Sequence, residues 1–114
     1  MTDRGSEQPV TYSRDSMRVM EAYPSLEGMI TQFSLLIRQS AQRKVQISEI
    51  TVRPHMDMEE PDWEGVVVDV VAKGNDRVMR RWRRSLSSGL VDFYRELDPG
   101  DAQLFTERVN FQIR

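Results

Sequence analysis

Seven consecutive residues, Val66-Val67-Val68-Asp69-Val70-Val71-Ala72, constrain the fold more than any other stretch of this 114-residue chain. Five are valine, whose branched side chain loses rotamer freedom in a helix and packs well on a pleated surface. The segment from Trp63 to Lys73 therefore reads as a strand. Successive side chains of a strand alternate faces, which puts Val66, Val68, Val70 and Ala72 on one side. On the other side Val67 and Val71 flank Asp69 and Lys73. A strand that is apolar on one face and half apolar on the other calls for cover on both. It must lie inside a sheet, with helices stacked against at least one face.

The neighbouring residues supply those elements. Ser48 to Met56 alternates Ile50 and Val52 against Glu49, Thr51 and Arg53, a second strand in which Pro54 cannot donate to a ladder and so belongs to an edge strand, a bulge or a frayed end. The polar loop Asp57 to Asp62 is of hairpin length, so the two strands pair antiparallel. Upstream, Leu26, Met29, Ile30, Phe33, Leu36, Ile37 and Ala41 recur at spacings of three and four, predicting a helix from about Ser25 to Arg43 with Ser25 as its N-cap. A shorter helical turn from Asp15 ends before Pro24. Downstream, Asn75 or Asp76 caps a long helix whose buried stripe is Val78, Trp82, Leu86, Leu90, Phe93 and Leu97. Asp98-Pro99-Gly100-Asp101 stops it. After a short turn, Val109, Phe111 and Ile113 alternate with Asn110 and Gln112 as a last strand.

The order α-β-β-α-β defines an α+β fold: a small three-stranded sheet, built from an antiparallel hairpin and a C-terminal strand, with two main helices packed on one face. The strand–helix–strand connection brings the last strand in parallel to the valine strand, which its composition and Pro54 both favour as central. Residues 1–13 read as a flexible N-terminal arm, at best adding a short extended piece at Val10-Thr11-Tyr12, and residues 14–114 as one domain, a size that buries roughly two-thirds of its unfolded surface. No uninterrupted apolar run exceeds three residues, far short of a membrane span, and Met1 to Gln8 has no apolar stretch of the signal-peptide kind. The expected setting is the cytoplasm. With no cysteine there is neither a disulfide framework nor a thiolate metal site or nucleophile.

Charge gives the functional leads. The net charge is −2, yet Arg77, Arg80, Arg81, Arg83 and Arg84 crowd eight positions of the long helix. At 100° per residue, Trp82 falls on the buried stripe, while Arg77, Arg80 and Arg84 lie opposite it and Arg95 extends their line. Tryptophan and arginine thus point apart, and the helix lacks the exposed aromatic–cation platform that stacks single-stranded nucleic acid. These arginines also occupy the N-terminal half of the helix, where the macrodipole disfavours cations. A solvated face is the plain reading; contact with a protein, including a second copy of the chain, is the functional one. Nucleic-acid phosphate contact is the alternative.

The loop Asp57 to Glu64, which contains Glu59 and Glu60, sums to −5, and Lys73 to Arg84 carries six cations against Asp76, or +5. Opposite patches of equal size suggest pairing in cis or between copies. Val67 and Val71 on the second sheet face, with Leu35 and Val91 on the helices, add apolar surface for such a partner. Arg77, Arg80, Arg84, Arg95, Glu59, Glu60, Val67 and Val71 are therefore the candidate partner-binding residues of a small protein-interaction or accessory domain acting as a homo-oligomer or a subunit of a complex.

Enzyme chemistry has weaker grounds. His55 and Asp57 share a strand face and provide a second alternative, a metal-dependent site, but the spacing is not that of a calcium loop. Asp69 is the carboxylate on which a shifted pKa would fall, and pairing with arginine is its ordinary fate. Gly74, Gly89 and Gly100 are isolated, so no phosphate-cradling loop is present. Neither a catalytic constellation nor a cofactor is expected.

Overall fold

The computed structural model describes residues 10–41, 44–56, 59 and 64–114. Eight elements follow one another: β1 (Thr11–Tyr12), α1 (Arg14–Ala22), α2 (Pro24–Ser40), β2 (Gln46–Met56), β3 (Glu64–Lys73), α3 (Asp76–Glu96), α4 (Pro99–Arg108) and β4 (Val109–Ile113). The fold is α+β, with the four strands in one sheet in the order β1-β2-β3-β4. The hairpin β2–β3 is antiparallel, with Arg53 opposite Val67 and Thr51 opposite Asp69. As expected, β4 joins β3 in parallel, with Val68 beside Phe111.

The fourth strand corrects the three-stranded expectation, and it falls on the short extended piece read at Val10-Thr11-Tyr12. Thr11 and Tyr12 pair in parallel with Thr51 and Val52 of β2. Val10 is 5% exposed within the core, and the Ser13 amide donates to the Val52 carbonyl. Two residues of pairing give almost no alternation to read from sequence, but burying Val10 and Tyr12 against helices is enough to hold them. Residues 1–9 of the expected arm lie outside the described residues. Because the Val52 carbonyl faces β1, Pro54, two positions on, turns its missing N–H to the same edge beyond the end of β1.

The helices differ from expectation in number and in their ends. The Asp15 turn is a full helix, α1, capped by Ser13, whose side chain accepts from the Ser16 amide. α2 starts one residue earlier than predicted, with Pro24 in its first turn and Tyr23 rather than Ser25 at the cap; proline's fixed φ suits that position. α2 ends at Ser40. The Asp98–Asp101 stop also begins α4: the Asp98 carboxylate accepts from the Asp101 amide, and Pro99 again occupies the first turn. That makes four helices where two main ones were expected.

One hydrophobic core lies between the helices and the Val66 face of the sheet. Ile50 and Val52 of β2 and Val66, Val68 and Val70 of β3 meet Leu26, Ile30, Phe33 and Ile37 of α2, all at most 2% exposed. Each fully buried side chain of this kind contributes about 1.5–3 kcal/mol. Phe33 is the hub: its ring lies 5.6 Å from Phe105 of α4, 5.2 Å from Phe111 of β4 and 5.9 Å from Phe93 of α3. These rings tie α3, α4 and β4 to α2.

Candidate functional site

α3 is the longest helix, and its burial pattern places the site. Asn75 caps it, accepting from the Val78 amide at 2.9 Å. Trp82 and Leu86 are its buried residues, and the Trp82 indole N–H donates to the Ser40 hydroxyl of α2 at 2.9 Å. With Trp82 fixed inward, Arg77, Arg80 and Arg84 are turned outward and exposed, as helical phasing requires. Arg81 and Arg83, at the boundary, are exposed too. Arg77, Arg80, Arg81 and Arg84 together line a groove of about 270 Å³ on the helix surface.

None of these five arginines has a carboxylate within ion-pairing distance among the described residues. Asp76 lies near Arg80 and Arg83 in an adjoining hollow without closing a pair. Like charges three and four residues apart on a helix repel, and for Arg77, in the first turn, the dipole adds a penalty. The face is therefore electrostatically unsettled in the chain alone. Arg95, the fourth member of the predicted line, differs: it stands 4.0 Å from Asp92, one turn back, with both side chains exposed. It extends the line geometrically but is already partnered.

The other sheet face behaves differently from its sequence expectation. Val67 is 6% exposed and Val71 half-buried, so Val67 offers no surplus apolar surface. The register explains this, because Arg53 on β2 and Asn110 on β4 stand on either side of Val67. In the middle of the face lies Asp69, its side chain only 3% exposed. The Arg53 Nε–H donates to one carboxylate oxygen at 2.6 Å, and the Gln112 amide donates to the other at 2.5 Å. Arg114 adds a more distant charge at 3.9 Å. Burial alone would raise the Asp69 pKa; the hydrogen bonds from Arg53 and Gln112 and the charges of Arg53 and Arg114 outweigh it and hold the carboxyl below the ordinary aspartate value. Asp69 is thus an ionised structural anchor.

Glu59 is exposed, whereas Glu60 lies outside the described residues, as does Asp57, the proposed metal partner of His55. Among the described residues, no group of three or more histidine or carboxylate side chains is placed to hold a metal ion. No described helix is long and apolar enough to cross a membrane.

One element of the surface was not foreseen. A cleft of about 330 Å³ opens beside the arginine groove, where Lys44 and Val45, between α2 and β2, meet the first turns of α3. Gly74 allows that meeting: a Cβ there would lie 2.9 Å from the Lys44 carbonyl oxygen. Helical phasing could place Arg81 at the rim of the core, but only the folded chain brings Lys44 opposite it. No family model, no curated protein and no solved structure matches the chain.

Proposed function

We propose that the chain is a small protein-interaction domain, a cytoplasmic subunit of a larger assembly, that docks an acidic protein on the outer face of α3. One observation carries this reading: five arginines within three turns, exposed and without a carboxylate partner among the described residues. The exposed Val91, about two turns further along the same face, adds apolar surface to it. A protein is favoured over nucleic acid because the whole chain is net negative and none of the aromatic residues of α3 falls on its arginine face. A second copy of the chain, whose sequence carries the acidic segment with Glu59 and Glu60, is one acidic protein of this kind.

The test is affinity for poly-glutamate and for a short DNA duplex across a salt series, in the native chain and in an Arg80→Glu/Arg84→Glu variant. The reading expects poly-glutamate to bind, weakening with salt, and the variant to lose that binding. DNA binding that is the tighter of the two and equally salt-dependent would assign the face to nucleic acid. Light scattering over a wide concentration range, repeated with Glu59→Lys/Glu60→Lys, decides whether the acidic partner is a second copy.

A further inference from the structure

The cleft beside Arg81 has a different chemistry from the groove it joins. Its floor is apolar: Val45 is 6% exposed, Trp82 3%, and Val78 half-buried. The Trp82 indole N–H is already given to the Ser40 hydroxyl, which itself donates to the Ile37 carbonyl at 2.8 Å. The indole therefore offers the cleft only apolar ring surface. Lys44 and Arg81 are the charged groups of the rim, with no carboxylate among the lining residues. The volume lies at the small end of the range for ligand pockets, enough for one side chain and too shallow for a large cofactor.

Arg81 lines both the cleft and the arginine groove, which makes them one continuous surface. From Arg77 to Arg84 the helix rises about 10 Å, a span that about three or four extended residues cover. Resting on the docking of an acidic protein to α3, we propose that the docked segment carries one apolar side chain, seated in the cleft over Trp82, with carboxylates two or three positions away paired to Arg77, Arg80 and Arg84. The apolar residue supplies a desolvated anchor and the carboxylates supply register and encounter rate, the division of labour usual at protein interfaces. An acidic segment without the anchor leaves the cleft wet and binds through screened charges alone.

Two short synthetic peptides separate the contributions: glutamates flanking a single leucine, and the same sequence with serine for leucine. Each is titrated calorimetrically into the full chain, into the Arg80→Glu/Arg84→Glu variant and into a Ser85→Phe variant, whose exposed rim residue would fill the cleft without touching the core. The leucine peptide is expected to bind roughly tenfold tighter, from burial of part of one side chain, and to shift the Trp82 indole N–H resonance, assigned with Trp63→Phe. Ser85→Phe should abolish the leucine preference and spare the serine peptide, and charge reversal should weaken both. Equal affinities for the two peptides, still lost on charge reversal, would overturn the anchor while leaving the docking face standing. If neither peptide binds at low salt, the docking reading itself fails.

Discussion

Two groups of arginines, one on the sheet and one on α3, stand under opposite conditions. On the sheet, Arg53 and Arg114 converge on Asp69, a carboxylate whose side chain is 3% exposed and whose second oxygen is held by Gln112. On α3, five arginines stand at helical spacing with no carboxylate partner among the described residues. The residue type is the same, but its electrostatic work is finished in one place and unfinished in the other. Satisfied charges of the first kind fix the sheet. Unsatisfied charges of the second kind cost the isolated chain a little stability, and the proposed acidic partner would supply the missing anion.

The largest effect should come from removing the sheet carboxylate. Asp69→Ala takes away two charge-assisted hydrogen bonds at a buried position and should cost about 1.5–3 kcal/mol in urea unfolding, moderated because water can reclaim the half-exposed Arg53 and Arg114. A smaller loss, about 1 kcal/mol, is expected from Arg53→Ala, which leaves Gln112 and Arg114 with the carboxylate. If Arg53→Ala proved as costly as Asp69→Ala, the division of the Asp69 site among three partners would be wrong.

Acid provides a second probe of the same contrast. The folded-state pKa of Asp69 lies below its ordinary value, so the folded chain binds fewer protons than the unfolded chain between the two values. This contribution is fully present above the ordinary aspartate pKa and is lost as pH falls from there through the folded value. Asp69→Asn should flatten that acid limb of the stability profile. Parallel profiles for native and variant chains would show that the carboxylate is not held ionised by its partners.

The smallest effect, and the one of opposite sign, belongs to α3. Arg77→Glu replaces a cation in the first turn of the helix with an anion and should raise stability by about 0.3–1 kcal/mol at low salt, fading as salt is added. A destabilisation of the size predicted for Asp69 would mean that this arginine holds the fold together.

Much of this contrast was legible in the chain itself. The valine run and the 3.6-residue stripes defined β3, α2 and α3, because each buries a face long enough to show its period. The phase of Trp82 separated it from the arginines for the same reason. Short elements were harder to see: β1 pairs through only two residues, and α4 hides behind a Pro–Gly signal that stops one helix and starts another. Val67 looked available because periodicity reports which face a residue occupies, not what its cross-strand neighbours cover. The cleft beside Trp82 was beyond the sequence altogether, since the approach of Lys44 to α3 depends on how the β3–α3 turn at Gly74 packs against a segment 30 positions upstream.

Poly-L-glutamate titrated into isotopically labelled protein, with the arginine side-chain N–H resonances followed one by one, tests the central claim most directly. The account predicts that Arg77, Arg80, Arg81 and Arg84 shift together as the polymer is added, while Arg53 and Arg114, already committed to Asp69, stay in place. Shifts centred on Arg53 and Arg114 with the α3 arginines unmoved would contradict it.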